Sequence, residues 1–170
     1  YPAPNDLRVA RALSAMKNSA RFFRDLPQVD RRRLQRAGAE VREAGRAEGR
    51  YPTYYLQNFH YQSGGWLTED SAKLYDTQVE ILFGGAADAM RRIALGSLAR
   101  ALRGTDQRHV RLIDLACGNG RFLRQIMDAF PRMPATGLDL SPAYCAEARA
   151  RLGAWPPVEI VTGAVEQAPF

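Results

Sequence analysis

The sequence predicts an α/β protein: a helical N-terminal stretch followed by the first three strands of a doubly wound parallel sheet, in the spatial order 3-2-1. Three observations lead there. From residue 110 onward, short apolar runs alternate with helical patterns, the strand–helix–strand–helix–strand order that a parallel sheet with crossover helices requires. Gly118 and Gly120 stand between the first run and the first of those helices, where a tight strand-to-helix turn belongs. Before residue 106 the apolar residues recur instead at three-four spacing, the period of a helix. The boundary is placed accordingly: a helical segment over residues 1–105 and the first part of an α/β domain over 106–170.

The elements follow in order. Val9, Leu13, Met16, Ala20 and Phe23 share one face of a helix over 6–24, opened by Asn5 or Asp6 and ended by Pro27. Leu34, Ala37, Val41 and Ala44 form a narrow stripe on a second helix over 28–48, closed by Gly49 and Pro52. Residues 51–68 are the most aromatic part of the chain, with Tyr51, Tyr54, Tyr55, Phe59, Tyr61 and Trp66 around His60, and Gly64-Gly65 marks a turn. Aromatics at this density fill a core or lid, or line a ligand pocket. Tyr75, Val79, Leu82 and Phe83 mark a third helix. After Gly84-Gly85, Ala86, Met90, Ile93, Ser97, Leu98, Ala101 and Leu102 mark a fourth. Arg103–Gln107 is a polar loop.

In the second part, Val110–Ala116 is a short, mainly apolar run that reads as a buried parallel strand. Leu123, Ile126, Met127 and Phe130 lie on one face of the helix after the glycine turn. The second strand is Ala135–Leu140. Ser141 is suited to cap, and Pro142 to start, a helix reaching Leu152. Pro156-Pro157 precede the third strand, Val158–Val161.

Composition narrows the function classes. No apolar run approaches the roughly 20 residues of a membrane helix. Tyr1–Asp6 has no basic region leading into an apolar core, so it does not read as a signal peptide, and without an initiator Met the true start is expected upstream or processed away. Cys117 and Cys145 are the two cysteines, and His60 and His109 the two histidines, too few for a disulfide framework or a protein-built metal centre. A reduced, cytoplasmic protein is expected. The net charge of +6 is concentrated: residues 1–50 hold 12 Lys/Arg and 6 Asp/Glu, whereas residues 51–170 hold 12 of each. Such a segment is a solvated arginine-rich helix face or a nucleic-acid footprint.

The chemistry concentrates in Asp114-Leu115-Ala116-Cys117-Gly118-Asn119-Gly120. Gly118 and Gly120 let backbone approach a ligand, and the helix beginning near Gly120 offers unpaired amides and a positive dipole end to a carboxylate or phosphate. Asp114, at the strand's end, can bind an amino group. A ligand with both a carboxylate and an ammonium suits the pair better than a pyrophosphate does. A dinucleotide fingerprint needs a third small residue where Leu123 stands, and a phosphate-binding P-loop needs a Gly-Lys-Ser/Thr that is missing.

Asp114-x-Ala116-x-Gly118-x-Gly120 resembles motif I of the class I S-adenosylmethionine-dependent methyltransferases, D/E-x-G-x-G-x-G, with Ala116 in place of the first glycine. Gly137-Leu138-Asp139-Leu140-Ser141 is similar to the family's second motif, and Asp139 follows Asp114 by 25 residues. Val161–Phe170 resembles the family's third segment, with Ala164 where an adenine-binding Asp is expected. The resemblance implies a Rossmann-like fold and S-adenosyl-L-methionine as cofactor. It implies that Asp114, Ala116, Gly118 and Gly120 surround the cofactor's amino-acid end, that Asp139 takes the ribose hydroxyls, and that Leu140, Val165 and Glu166 lie by the adenine. Asn58–Leu67 through Gly85 looks like the N-terminal extension of a bacterial small-molecule subgroup, which makes residues 1–105 a helical cap over the acceptor. His60 is then the candidate general base, against a packing role among tyrosines, while His109 is structural. No membrane partner is implied.

The family's sheet continues beyond a third strand, so the 170 residues are expected to be a fragment that binds cofactor weakly or not at all and has no useful activity alone. The leading function is methyl transfer to a small-molecule acceptor. The alternatives are an RNA or DNA methyltransferase using the basic first 50 residues, and a non-catalytic cofactor-fold interaction module suggested by Ala164. A nicotinamide-dependent reductase comes last because of Leu123.

Overall fold

A computed structural model of the protein describes residues 68–168 throughout, together with residues 16–21, 23, 24, 27, 31, 51, 52, 54 and 55. Helix is found at 16–21, 23, 24 and 27, so Pro27, expected to end the first helix, is itself helical. Arg31 is helical within the expected 28–48; the rest of that helix, His60 and most of the aromatic stretch lie outside the described residues. The chain divides into two compact units, Tyr1–Gln78 and Val79–Phe170.

In the first unit, Tyr55 N donates to Pro52 O (3.0 Å), and this turn stacks the Tyr51 and Tyr55 rings with centroids 5.4 Å apart. Helix α1 (Glu69–Leu82) begins there, and the unit boundary falls within it. Thr68 Oγ1 accepts the Ser71 amide (3.2 Å), and Glu69 and Asp70 place negative charge on the first turn, where the helix dipole favours it. Ser71, Ala72, Leu74 and Gln78 are the buried side chains of α1.

The second unit begins with the end of α1. Gly84 N donates to Ile81 O and Gly85 N to Glu80 O, with Gly84 at φ +56° and Gly85 at +83°. This paired closure needs a left-handed residue just past the helix, hence the glycine pair that the sequence showed as a break. Helix α2 (Ala87–Ala101) follows. It buries only Ala87, while Met90 and Ile93 on its expected apolar stripe are exposed, as are Leu82 and Phe83 before it. Periodicity locates the apolar face of a helix; it does not supply the surface that covers it. A short 3₁₀ turn, Gln107–His109, is capped by Asp106, which accepts from Arg108 N (3.0 Å).

Strands β1 (Leu112–Leu115), β2 (Ala135–Asp139) and β3 (Val158–Thr162) form one parallel sheet with β2 in the middle, the predicted 3-2-1 order. The register pairs Asp114 with Gly137 and Asp139 with Thr162. Helix α3 (Arg121–Ala129) connects β1 to β2, and α4 (Pro142–Leu152) connects β2 to β3. Leu123, Ile126 and Met127 are the buried face of α3. Phe130, expected on that face, ends the helix at φ −128° and is half-buried. Tyr144, Cys145, Ala148 and Leu152 are buried on α4, whose start is set by Ser141 as cap and Pro142 as first residue. The core joins Leu123, Met127, Ala135, Leu152 and Trp155, with Leu112, Val158 and Ile160 packed against it. Each such leucine contributes roughly 1.5–3 kcal/mol of hydrophobic stabilisation relative to an exposed one.

Candidate cofactor-binding site

The candidate site lies at the carboxyl ends of β1 and β2, the place where open parallel sheets hold ligands. After β1 the backbone takes left-handed conformations at Ala116 (φ +61°), Gly118 (+56°) and Gly120 (+72°). The turn closes through Gly120 N to Cys117 O (3.0 Å), and α3 starts with Arg124 N to Gly120 O (2.9 Å). Gly118 needs its φ rather than its space, since an added Cβ would lie 3.8 Å from Tyr144. Gly120 needs both. A Cβ there would stand 2.9 Å from Leu152 Cδ1 and 3.1 Å from Ala148 Cβ, so its absence lets the turn close against α4. The first turn of α3 carries no acidic side chain. The positive end of its dipole therefore suits a ligand carboxylate, with no competing acid on the helix's first turn.

Asp139 is joined to this turn directly. Its Oδ2 accepts the Gly118 amide at 2.8 Å, and its Oδ1 accepts the Ser141 amide at 2.9 Å. A carboxylate has about four acceptor sites, and with the Leu140 amide as a third donor about one remains for a ligand hydroxyl. Burial raises the Asp139 pKa, and the Ser141, Gly118 and Leu140 amides oppose that rise. Asp114 sits one strand over. Burial, and next the Asp139 charge, push its pKa up to about 6. A cationic group placed beside Asp114 would offset both effects.

Leu140 is half-buried at the strand's exit. Val165 and Glu166 are exposed, on a 3₁₀ turn, Val165–Gln167. Gly163 N donates to Asp139 O (2.9 Å), so the chain leading to that turn leaves the sheet beside Asp139. Ala164, before the turn, makes no side-chain cap. The geometry thus brings Gly118 and Asp139 into contact and sets Asp114 on the neighbouring strand. His60 lies outside the described residues.

Two contributors went unread in the sequence. Asn119 is buried inside the turn, where its Oδ1 accepts from Arg151 Nη1 of α4 (3.0 Å). Gly137 lies in the middle of β2, and a Cβ there would meet Cys117 Sγ at 2.9 Å and Leu123 Cδ2 at 3.1 Å. The space that a third glycine gives in a dinucleotide fold is here supplied from the strand side, which is how the large Leu123 packs over the sheet. A glycine inside a strand signals such a close approach.

Comparison with known proteins agrees with this geometry. Residues 112–170 match the family described as a methyltransferase domain. The matched segment starts at the first residue of β1, and it takes in the glycine turn, Asp139 and the turn at Val165. The chain is 33% identical over 93 residues to isonocardicin synthase of Nocardia uniformis subsp. tsuyamanensis, a match covering 54% of this chain and 27% of the synthase. A S-adenosyl-L-homocysteine complex of a SAM-dependent methyltransferase from Geobacter sulfurreducens shares 30% identity, covering 41% of this chain and 28% of that one at a TM-score of 0.33. The apo form of the S-adenosylmethionine-dependent methyltransferase SibL shares 21% identity, covering 54% and 27% at a TM-score of 0.41. At these TM-scores the two structural likenesses add nothing to the domain match. The chain spans about a quarter of the length of these relatives.

Proposed function

We propose that this chain carries the cofactor-binding part of a S-adenosyl-L-methionine-dependent methyltransferase. One observation carries the reading: the Gly118 amide is hydrogen-bonded to the Asp139 carboxylate, within the segment that matches a methyltransferase domain. The residues present suit the cofactor. Asp139 offers its carboxylate to the ribose hydroxyls. The amides at the start of α3 face the carboxylate of the amino-acid end, with Ala116, Gly118 and Gly120 giving the backbone its approach. Asp114 takes the ammonium, and Leu140, Val165 and Glu166 border the adenine, with Ala164 leaving the exocyclic amine to other partners. The bound cofactor supplies an electrophilic methyl carbon. The protein's part is to align the acceptor with it and exclude water. Residues 1–105 serve as a helical cap, with His60 as its candidate base.

The acceptor is a small molecule in this reading, supported by the aromatic stretch over 51–68 and the charge balance of residues 51–170. The basic first 50 residues favour a nucleic acid as the second reading, and binding to RNA that falls steeply with salt would select it.

Calorimetric titration with S-adenosyl-L-homocysteine tests the cofactor site. Uptake by this chain is expected to be weak, Asp139→Asn to weaken it by roughly a further tenfold or more, and NADH to give no heat. Equal affinity in wild type and Asp139→Asn would remove Asp139 from the site. Preference for NADH would overturn the methyltransferase reading.

A further inference from the structure

The five residues from Cys117 to Arg121 are each held from outside the turn. Cys117 N donates to Leu138 O (2.9 Å) and Gly118 N to Asp139 (2.8 Å), both on β2. Asn119 accepts from Arg151, and Gly120 abuts Ala148 and Leu152, all on α4. The fifth anchor has a different origin. Arg121 is gripped by Asp88 of α2, through Nε to Oδ1 (2.9 Å) and Nη2 to Oδ2. Asp88 also accepts from Gln125 Nε2 (3.1 Å), one turn further along α3, and from Arg91 Nη1 (2.9 Å) on its own helix. Glu80 Oε1 of α1 stands 3.7 Å from both guanidinium groups, near enough to attract them and too far to hydrogen-bond. Two carboxylates thus balance two guanidiniums at the junction of three helices.

Apolar packing contributes little to this hold, because Ala87 is the one fully buried residue of α2, with Leu95 and Leu98 half-buried. Bidentate Arg–carboxylate pairing fixes orientation as well as distance. The four charged side chains are only 17–31% exposed, so salt weakens them less than it weakens pairs in open solvent. Asp88 lies 24 residues before the segment that matches the methyltransferase domain, at 88 against 112. The matched domain therefore supplies four of the turn's anchors and lacks the fifth.

We infer that Asp88 is a positioning residue for the cofactor site: by clasping Arg121 and Gln125 it fixes the start of α3, and with it the Gly118–Gly120 turn that receives the amino-acid end of the cofactor. The inference rests on the cofactor reading above, but the clasp itself is testable without it. Asp88→Asn keeps the shape and removes the charge. It is expected to weaken S-adenosyl-L-homocysteine binding roughly tenfold, a typical coupling for one such contact. Amide hydrogen exchange over residues 118–124 should quicken by a similar factor, while residues 135–138 of β2 keep their protection. The charge swap Asp88→Arg with Arg121→Asp should recover a large part of both losses, which a loss of packing alone would not allow.

Asp88→Asn within about twofold of wild type in both measurements would overturn the inference, and so would a swap no better than the single variant. If wild type takes up no S-adenosyl-L-homocysteine, the cofactor reading fails. The exchange comparison then decides the clasp alone: faster exchange at 118–124 supports it, and unchanged exchange refutes it.

Discussion

Gly120→Ala tests the turn by two separable effects. Gly120 holds φ +72°, and an alanine forced to stay left-handed costs roughly 1–2 kcal/mol. The new methyl also collides with its surroundings. Leu152 Cδ1 at 2.9 Å is a flexible tip, but Ala148 Cα at 3.3 Å is backbone and cannot swing aside. Overpacking of this kind costs roughly 1–3 kcal/mol. Alanine restricts the unfolded chain, which returns roughly 0.4–1 kcal/mol. The net expectation is a loss of roughly 2–4 kcal/mol, a large share of the roughly 5–15 kcal/mol that holds a domain folded. Gly104→Ala is the comparison, because Gly104 has φ +78° and an added Cβ would meet nothing within 4 Å. It should lose about 1 kcal/mol or less, from strain alone. Urea unfolding followed by Trp fluorescence, with equal slopes for both variants, gives the two values. If Gly120→Ala destabilises no more than Gly104→Ala, the contact with α4 is not what demands a glycine.

Asp114 gives a pH prediction. Its folded pKa of about 6 lies above the ordinary value of 3.8, so the folded state binds the proton more tightly and stability falls as pH rises from about 4 through 6. Asp114→Asn should flatten that fall and stabilise the ligand-free protein by about 2 kcal/mol at pH 7, measured by urea unfolding across pH. In the proposed site, wild-type affinity for S-adenosyl-L-homocysteine should rise up to about pH 6 and level off above it, since the ammonium prefers ionised Asp114. Asp88 has the opposite sign. The Arg121 hydrogen bond, ahead of the opposing burial, holds its pKa at about 2, so its stabilisation is present above pH 4 and is lost as pH falls towards 2. Asp88→Asn should shrink that acid-side loss in the same titration. Ser141→Ala should cost about 0.5–1 kcal/mol, at the low end for a cap because its bond to the Tyr144 amide is a long 3.4 Å, and thermal melting reads it.

Much of the α/β half was legible because its signals are local. Apolar runs of strand length, a serine–proline helix start and glycines at the first turn each fix one element, whereas the strand order came with the resemblance, and the burial expected of Val110–Ala116 fails because Ile113 and Leu115 are exposed on β1. Asp139 was singled out by the motif resemblance and its spacing from Asp114, and the structure adds its hydrogen bond from the Gly118 amide. What escaped depends on partners distant in sequence. Asp88 meets Arg121 across 33 residues, and nothing in the pattern of α2 distinguishes Asp88 from a solvated surface acid. Gly137 looked like part of a motif, whereas its lack of a side chain makes room for Leu123 and Cys117. The faces of α1 and α2 illustrate the same limit. Their periodicity showed helices, yet Leu82, Phe83, Met90 and Ile93 are exposed, because burial is decided by neighbours that periodicity does not contain.

Ala116 constrains what sequence variation the turn can accept. It is the one non-glycine residue at positive φ among the described residues, and its side chain is exposed, so no neighbour dictates its size. Backbone shape alone then filters the alphabet at 116. In a library randomised at that codon, Gly, Asn and Asp should survive beside Ala, while Val, Ile and Thr disappear, their branched carbons intolerable in a left-handed bend despite the open water around them.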